Sequence, residues 1–137
     1  WMGSDFTNDD LVRESSSVED YTNSILIKET GPEGTELITI ESIPHPDAPV
    51  VWGKVVAKIR SDGIPVLQQF YDEDGVLIRT MSYENVEIRG ERKLPTRIVM
   101  TPELEVGHST IMLIEDVIFD KPIDPEIFTR SNLGRRR

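Results

Sequence analysis

Three compact turn signals punctuate the chain: Gly31-Pro32-Glu33-Gly34, Ser61-Asp62-Gly63 and Asp72-Glu73-Asp74-Gly75. Between them lie short runs in which apolar and polar residues alternate with a period of two. A period of two belongs to strands, and turns this short join strands that are neighbours in space and run antiparallel. The pattern predicts strands over residues 21–30, 35–43, 50–60, 64–71, 76–86, 94–101 and 110–119. In the third of these Val51, Gly53, Val55, Ala57 and Ile59 share a side, and Lys54, Lys58 and Arg60 take the other. Residues 43–49 hold three prolines around His45 and read as an extended connector. A loop through Gly90 separates the fifth and sixth strands, and residues 103–108 form a polar turn.

Helices are expected only at the ends. Thr7 can cap a short first helix, with Asp10 as its capping-box partner and Phe6 and Leu11 spaced as a hydrophobic staple; Ser15, Ser16 and Ser17 end it. Near the other end Pro125 fits the first position of a short helix capped by Asp124 and running to about Asn132. The fold class that follows is mainly β with short terminal helices: an antiparallel meander of about seven strands.

Composition narrows the function classes. The 137 residues carry 25 acidic against 15 basic side chains, a net charge of −10, which argues against a nucleic-acid partner. No apolar run approaches the ~20 residues of a membrane span, and no signal peptide is visible in the chain. With no cysteine, disulfides, thiol catalysis and thiolate metal sites are excluded. His45 and His108 both fall in loops, far apart in sequence. Asp72-Glu73-Asp74-Gly75 resembles part of a calcium loop, but Phe70 stands where that loop needs an oxygen ligand. No nucleophile elbow, phosphate loop or dinucleotide glycine pattern occurs, and no acid pair can be assigned to a cleft. The expectation is a protein that is not an enzyme and has no cofactor and no metal. Dialysis against a chelator should leave its melting temperature unchanged.

The informative feature is apolar residues on both sides of several strands. Ile111 and Leu113 oppose Met112 and Ile114; Leu77, Met81 and Tyr83 oppose Val76 and Ile78; Ile98 and Met100 oppose Val99. A sheet wetted on one side would be polar there. Either other parts of the protein cover the second side, or it lines an apolar groove for a ligand. The candidate groove residues are Phe70, Met81, Ile98, Met100 and Met112. If the groove is open, Met100→Glu should weaken fatty-acid binding with little loss of fold.

The order of motifs resembles the outer-membrane lipoprotein-sorting (LolA-like) family, C-terminal part. Trp1-Met2-Gly3-Ser4-Asp5-Phe6 with Asp10-Leu11 looks like its helix-start signature. Gly53-Lys54-Val55, Pro65 with Tyr71, Asp74-Gly75, Gly90 before Leu94-Pro95-Thr96-Arg97, Thr110, Phe119-Asp120 and Phe128-Thr129 with Leu133 follow in order. The resemblance implies a curved antiparallel sheet forming an unclosed β-barrel, with helices over its concave side and acyl chains held between. It further implies a periplasmic carrier or sensor of lipid or lipoprotein, without catalysis. Family members are longer, so residues 1–137 read as a single domain forming the C-terminal half of a longer protein. Within it, residues 1–17 are helix and linker, 18–120 sheet, and 121–137 short helix and basic tail. The expected partners are lipid acyl chains or lipoprotein, and a second copy through the sheet edge at Ile25, Leu26 and Ile27. The alternative is a protein-interaction or sensor domain with the same sheet and no lipid cargo.

Overall fold

A computed structural model describes residues 3–5, 16 and 18–133. The first helix expected from Thr7 to Ser15 and the basic tail Arg135-Arg136-Arg137 lie outside the described residues. Seven strands form one sheet: β1 (Tyr21–Thr30), β2 (Glu36–Pro44), β3 (Lys54–Arg60), β4 (Pro65–Tyr71), β5 (Leu77–Arg89), β6 (Arg92–Pro102) and β7 (Thr110–Leu113). Their order in space is their order in sequence, every pair is antiparallel, and the sheet is unclosed, with β1 and β7 as its edges. The meander architecture is the one the turn spacing predicts.

Local chemistry explains the turns. Asp72 accepts from the backbone N–H of Asp74 at 3.0 Å and of Val76 at 2.8 Å, so the acidic run is a hairpin turn. Asp124 caps the C-terminal turn Pro125–Phe128 by accepting from Glu126 N–H at 3.0 Å; that turn is 3-10, and helix α1 (Arg130–Leu133) follows it.

The strand limits differ from the sequence reading by more than one residue in three places. The third strand begins at Lys54, not at residue 50, because the preceding segment is tied elsewhere: Gly53 N–H donates to the Tyr71 carbonyl at 3.0 Å. The loop through Gly90 is a two-residue turn. Arg89 pairs with Arg92, and Gly90 and Glu91 take φ of 54° and 68°, as the twist of a two-residue hairpin demands. Glu91 is not a residue that advertises this conformation. The last strand stops at Leu113 instead of running to residue 119. Beyond it Ile114 N–H still donates to the Thr96 carbonyl at 2.9 Å, Asp116 accepts from the N–H of Val117 at 2.9 Å, and the chain runs on beside β6 to the β5–β6 turn. There Gly90 leaves no room for a Cβ, which would lie 2.5 Å from the Val117 carbonyl oxygen and 3.0 Å from the Phe119 ring.

One face of the sheet is mixed: a row of Leu67, Ser82, Val99 and Ile111 crosses it, with ion pairs alongside. Lys54 pairs with Glu41 at 3.8 Å and Lys58 with Glu29 at 2.5 Å, and Lys54 also lies 4.4 Å from the Tyr71 ring centre. On the same face Glu84 accepts from the Ser82 hydroxyl at 3.0 Å and from Arg97. These hydrogen bonds hold its carboxyl below the ordinary glutamate range. A carboxylate lowered in the folded state adds stability above its unfolded pKa and loses it as pH falls through the folded value. The stability difference between the wild type and Glu84→Gln is therefore expected to be small at about pH 7 and to shrink as pH falls below the ordinary glutamate range, read from urea midpoints. A difference that grows in acid would contradict this.

Candidate functional site

The opposite face is apolar, and cross-strand register shows how it is assembled. Residues directly opposite in antiparallel strands share a face, as do residues two apart along a strand. One row crosses the whole sheet: Ile25, Ile40, Ala57, Gln68, Met81, Met100 and Thr110. Two residues to one side along the strands lies a second row, Ser42, Val55, Phe70, Arg79 and Pro102. Two residues to the other side, Tyr83, Ile98 and Met112 form a third. Phe70, Met81, Ile98, Met100 and Met112 thus occupy adjacent rows of one face. Leu77 does not join Met81 there: the register shift at the start of β5 puts it opposite Tyr71, on the other face.

The five residues differ in cover. Met100 is 0% exposed, Phe70, Met81 and Ile98 are half-buried, and Met112 is 42% exposed. Among the described residues only Ala57, Ile64 and Met100 are buried apolar side chains, a thin core for a sheet of seven strands. Beside Met100 the N-terminal segment is clasped to the sheet. Thr110, its cross-strand partner, accepts from Asp5 N–H at 3.0 Å and donates to the Asp5 carboxylate. His108 Nδ1 lies 3.0 Å from the same carboxylate. His45 is separate: it contacts the Thr22 hydroxyl at 3.1 Å beside β1. Among the described residues no group of three His, Asp or Glu side chains is arranged to hold a metal ion.

Polar groups on the apolar face are partnered or stacked. The Tyr83 hydroxyl donates to Gln68 Oε1 at 2.5 Å. Arg79, 5% exposed, places its guanidinium carbon 4.5 Å from the Phe70 ring centre and 4.6 Å from that of Trp52. The two rings lie 5.2 Å apart, tilted by 52°. Trp52 reaches this place because Gly53 packs directly on the β4–β5 turn: a Cβ on Gly53 would sit 2.3 Å from the Asp72 carbonyl oxygen. Sequence reasoning missed Arg79 and Trp52. Arg79 did carry a signal, since it stands two and four residues before Met81 and Tyr83 in one alternating run. For Trp52 the signal misled: a strand over residues 50–60 places it on the side of Lys54, whereas β3 begins only at Lys54 and Trp52 precedes it.

Comparison with known proteins agrees with this architecture. A domain from Vibrio parahaemolyticus named for outer membrane lipoprotein sorting is 26% identical, with a TM-score of 0.77 over 98% of this chain and 56% of that one. A DUF1329 family protein from Desulfovibrio piger is 19% identical, with a TM-score of 0.82 over 97% of this chain and 55% of that one. A LolA superfamily protein from Nitrosomonas europaea is 23% identical, with a TM-score of 0.66 over 96% of this chain and 58% of that one. The chain therefore spans a little over half the length of these solved structures. No curated protein matches it. A family model described as an uncharacterized protein matches residues 1–135, so the chain belongs to that family, and its fold is the LolA-like one.

Proposed function

We propose that the apolar face binds acyl chains of a lipid or lipoprotein in the bacterial periplasm, without catalysis. The observation that carries this reading is the set of adjacent rows holding Phe70, Met81, Ile98, Met100 and Met112 on one face, in a sheet where few of the described residues are buried. Hydrocarbon needs apolar area and few polar partners, at about 0.8 kcal/mol per buried CH₂. Unbranched methionine side chains adapt to a flexible chain. The Vibrio parahaemolyticus domain named for lipoprotein sorting supports both the cargo class and the compartment. Titration with a fluorescent fatty acid tests it. Met112→Glu, at a half-exposed position, is expected to keep the fold and to weaken binding about tenfold, since a charge would face the chain. Unchanged affinity would remove this face as the site.

A second reading has its own observation. Strand β1 is an edge, and Ile25, Leu26 and Ile27 are 58%, 51% and 54% exposed. An unpaired edge with apolar residues invites another strand, and two copies of the chain could pair there. The register shift at Leu26 and the charges of Lys28 and Glu29 oppose this only locally. Light scattering coupled to size exclusion is expected to give twice the chain mass, and the mass of a single chain would count against edge pairing.

A further inference from the structure

Past the last strand the chain leaves the sheet and stands in solvent with three large apolar side chains uncovered. We propose that residues 121–137 dock the protein peripherally on an anionic lipid bilayer, with Ile123, Ile127 and Phe128 entering the interface and basic side chains meeting the lipid phosphates. The inference is independent of the acyl-chain reading. It concerns a different surface, and how the molecule meets a membrane instead of what its apolar face holds.

Three observations carry it. First, the segment is anchored at its base and exposed beyond it. Phe119 lies against Gly90, the Arg92 guanidinium carbon is 4.4 Å from the Phe119 ring centre, and Arg92 pairs with Asp120 at 2.6 Å. Every residue from 121 to 130 is then exposed. Ile123, Ile127 and Phe128 are 62%, 53% and 72% exposed, three large apolar side chains within six residues. Such a cluster is costly in water and gains by entering an apolar medium. Second, the backbone among them supplies several of its own partners. The Asp124 carboxylate accepts from Glu126 N–H at 3.0 Å, and the Asp124 carbonyl accepts from Ile127 N–H at 3.0 Å. The Glu126 carbonyl accepts from the Thr129 N–H at 3.1 Å, the Thr129 hydroxyl at 2.7 Å and the Asn132 side-chain amide at 3.2 Å. A segment that enters the membrane interface loses water, and polar groups partnered within the segment lower the cost of that loss. Third, the charge is divided along the chain. Residues 121–137 carry five basic side chains, Lys121, Arg130, Arg135, Arg136 and Arg137, against Asp124 and Glu126, a net charge of +3; the three terminal arginines enter by sequence alone. The other 120 residues carry −13. An anionic bilayer attracts this end and repels the rest, so the molecule approaches with this end first. Screening confines both forces to roughly 8 Å at physiological salt, so the segment in contact decides the outcome. Apolar side chains beside basic ones are the combination that an anionic interface uses, without demanding a fixed shape from either.

Vesicle flotation tests it. The chain is expected to bind vesicles of phosphatidylcholine with about 30% phosphatidylglycerol about tenfold more tightly than vesicles of phosphatidylcholine alone, and to lose most of that preference in about 0.5 M salt. The double variant Ile127→Ser with Phe128→Ser is expected to weaken vesicle binding about tenfold. Both positions are exposed, so its urea midpoint and its fatty-acid affinity should match the wild type. Changing Arg135, Arg136 and Arg137 to Gln is expected to remove the preference for anionic vesicles. Because the chain has no cysteine, Ile123→Cys takes a single nitrobenzoxadiazole label, whose emission is expected to rise when anionic vesicles are added. Absence of binding to the anionic vesicles, equal binding to both kinds, or undiminished binding by the double variant overturns the membrane role. Self-association that the double variant abolishes, with no vesicle binding, assigns the patch to a second copy of the chain and overturns it too. A wild type that floats with anionic vesicles yet binds no fatty acid leaves this proposal standing and removes the acyl-chain reading alone.

Discussion

Met100→Glu is expected to destabilise the protein by about 4 kcal/mol or more, or to prevent folding. Met100 is 0% exposed and sits in the row that crosses all seven strands, opposite Met81 on one side and Thr110 on the other. The substitution removes a buried apolar side chain and leaves a carboxylate without water. The sequence reading tied tolerance of this change to an open groove at Met100; the full burial of the side chain is the reason that the larger cost is expected. The half-exposed Met112 is the contrasting position, where the same substitution should cost less than about 1 kcal/mol. Urea denaturation of the two variants side by side checks both figures. Equal midpoints would show that Met100 is not held as the structure has it.

Gly53→Ala is expected to cost about 2–3 kcal/mol, the range for forcing atoms into filled space. The added Cβ would meet the Asp72 carbonyl oxygen at 2.3 Å, the Glu73 Cα at 2.6 Å and the Asp72 carbonyl carbon at 2.7 Å. All three are backbone atoms, so no side-chain rotation relieves the contact. The hydrogen bond from Gly53 N–H to Tyr71 would stretch, and Trp52 would leave its place against Phe70 and Arg79. Denaturation midpoints measure the stability loss, and an unchanged midpoint would mean that the segment before β3 does not pack on the turn.

The meander was legible because its turns are written in residues with specific backbone roles. Gly34, Gly63 and Gly75 all take positive φ where the hairpins reverse. Face assignments were harder to read, because they depend on register. Shifts at Leu26, between Lys58 and Ile59, and between Phe70 and Tyr71 each flip what a strict alternation would place on one side. Leu77 shows the effect: alternation groups it with Met81, and the shift sends it across the sheet. The five candidate groove residues escaped this because they lie between the shifts. Cover was not legible at all. Met100 and Met112 have the same residue type and the same face, yet one is enclosed in β6 and the other lies on the edge strand β7, a difference that residue type does not carry. Arg79 illustrates the remaining limit. Its alternation put it on the apolar face, but charge biases a sequence reading toward solvent, and the stacking of Trp52 and Phe70 on its guanidinium could not be read from the sequence.

The methionines offer the most direct measurement of the central claim. Three of the four in the chain, Met81, Met100 and Met112, lie on the apolar face in two adjacent rows. Carbon-13 labelling of their methyl groups gives each a separate NMR signal, assigned by conservative Met→Leu variants. Titration with palmitate is expected to move the signals of Met81 and Met112 in a saturable way, with a smaller displacement at the enclosed Met100. Palmitate that binds without moving any of the three, or that leaves the spectrum unchanged because it does not bind, would contradict the assignment of this face as an acyl-chain site.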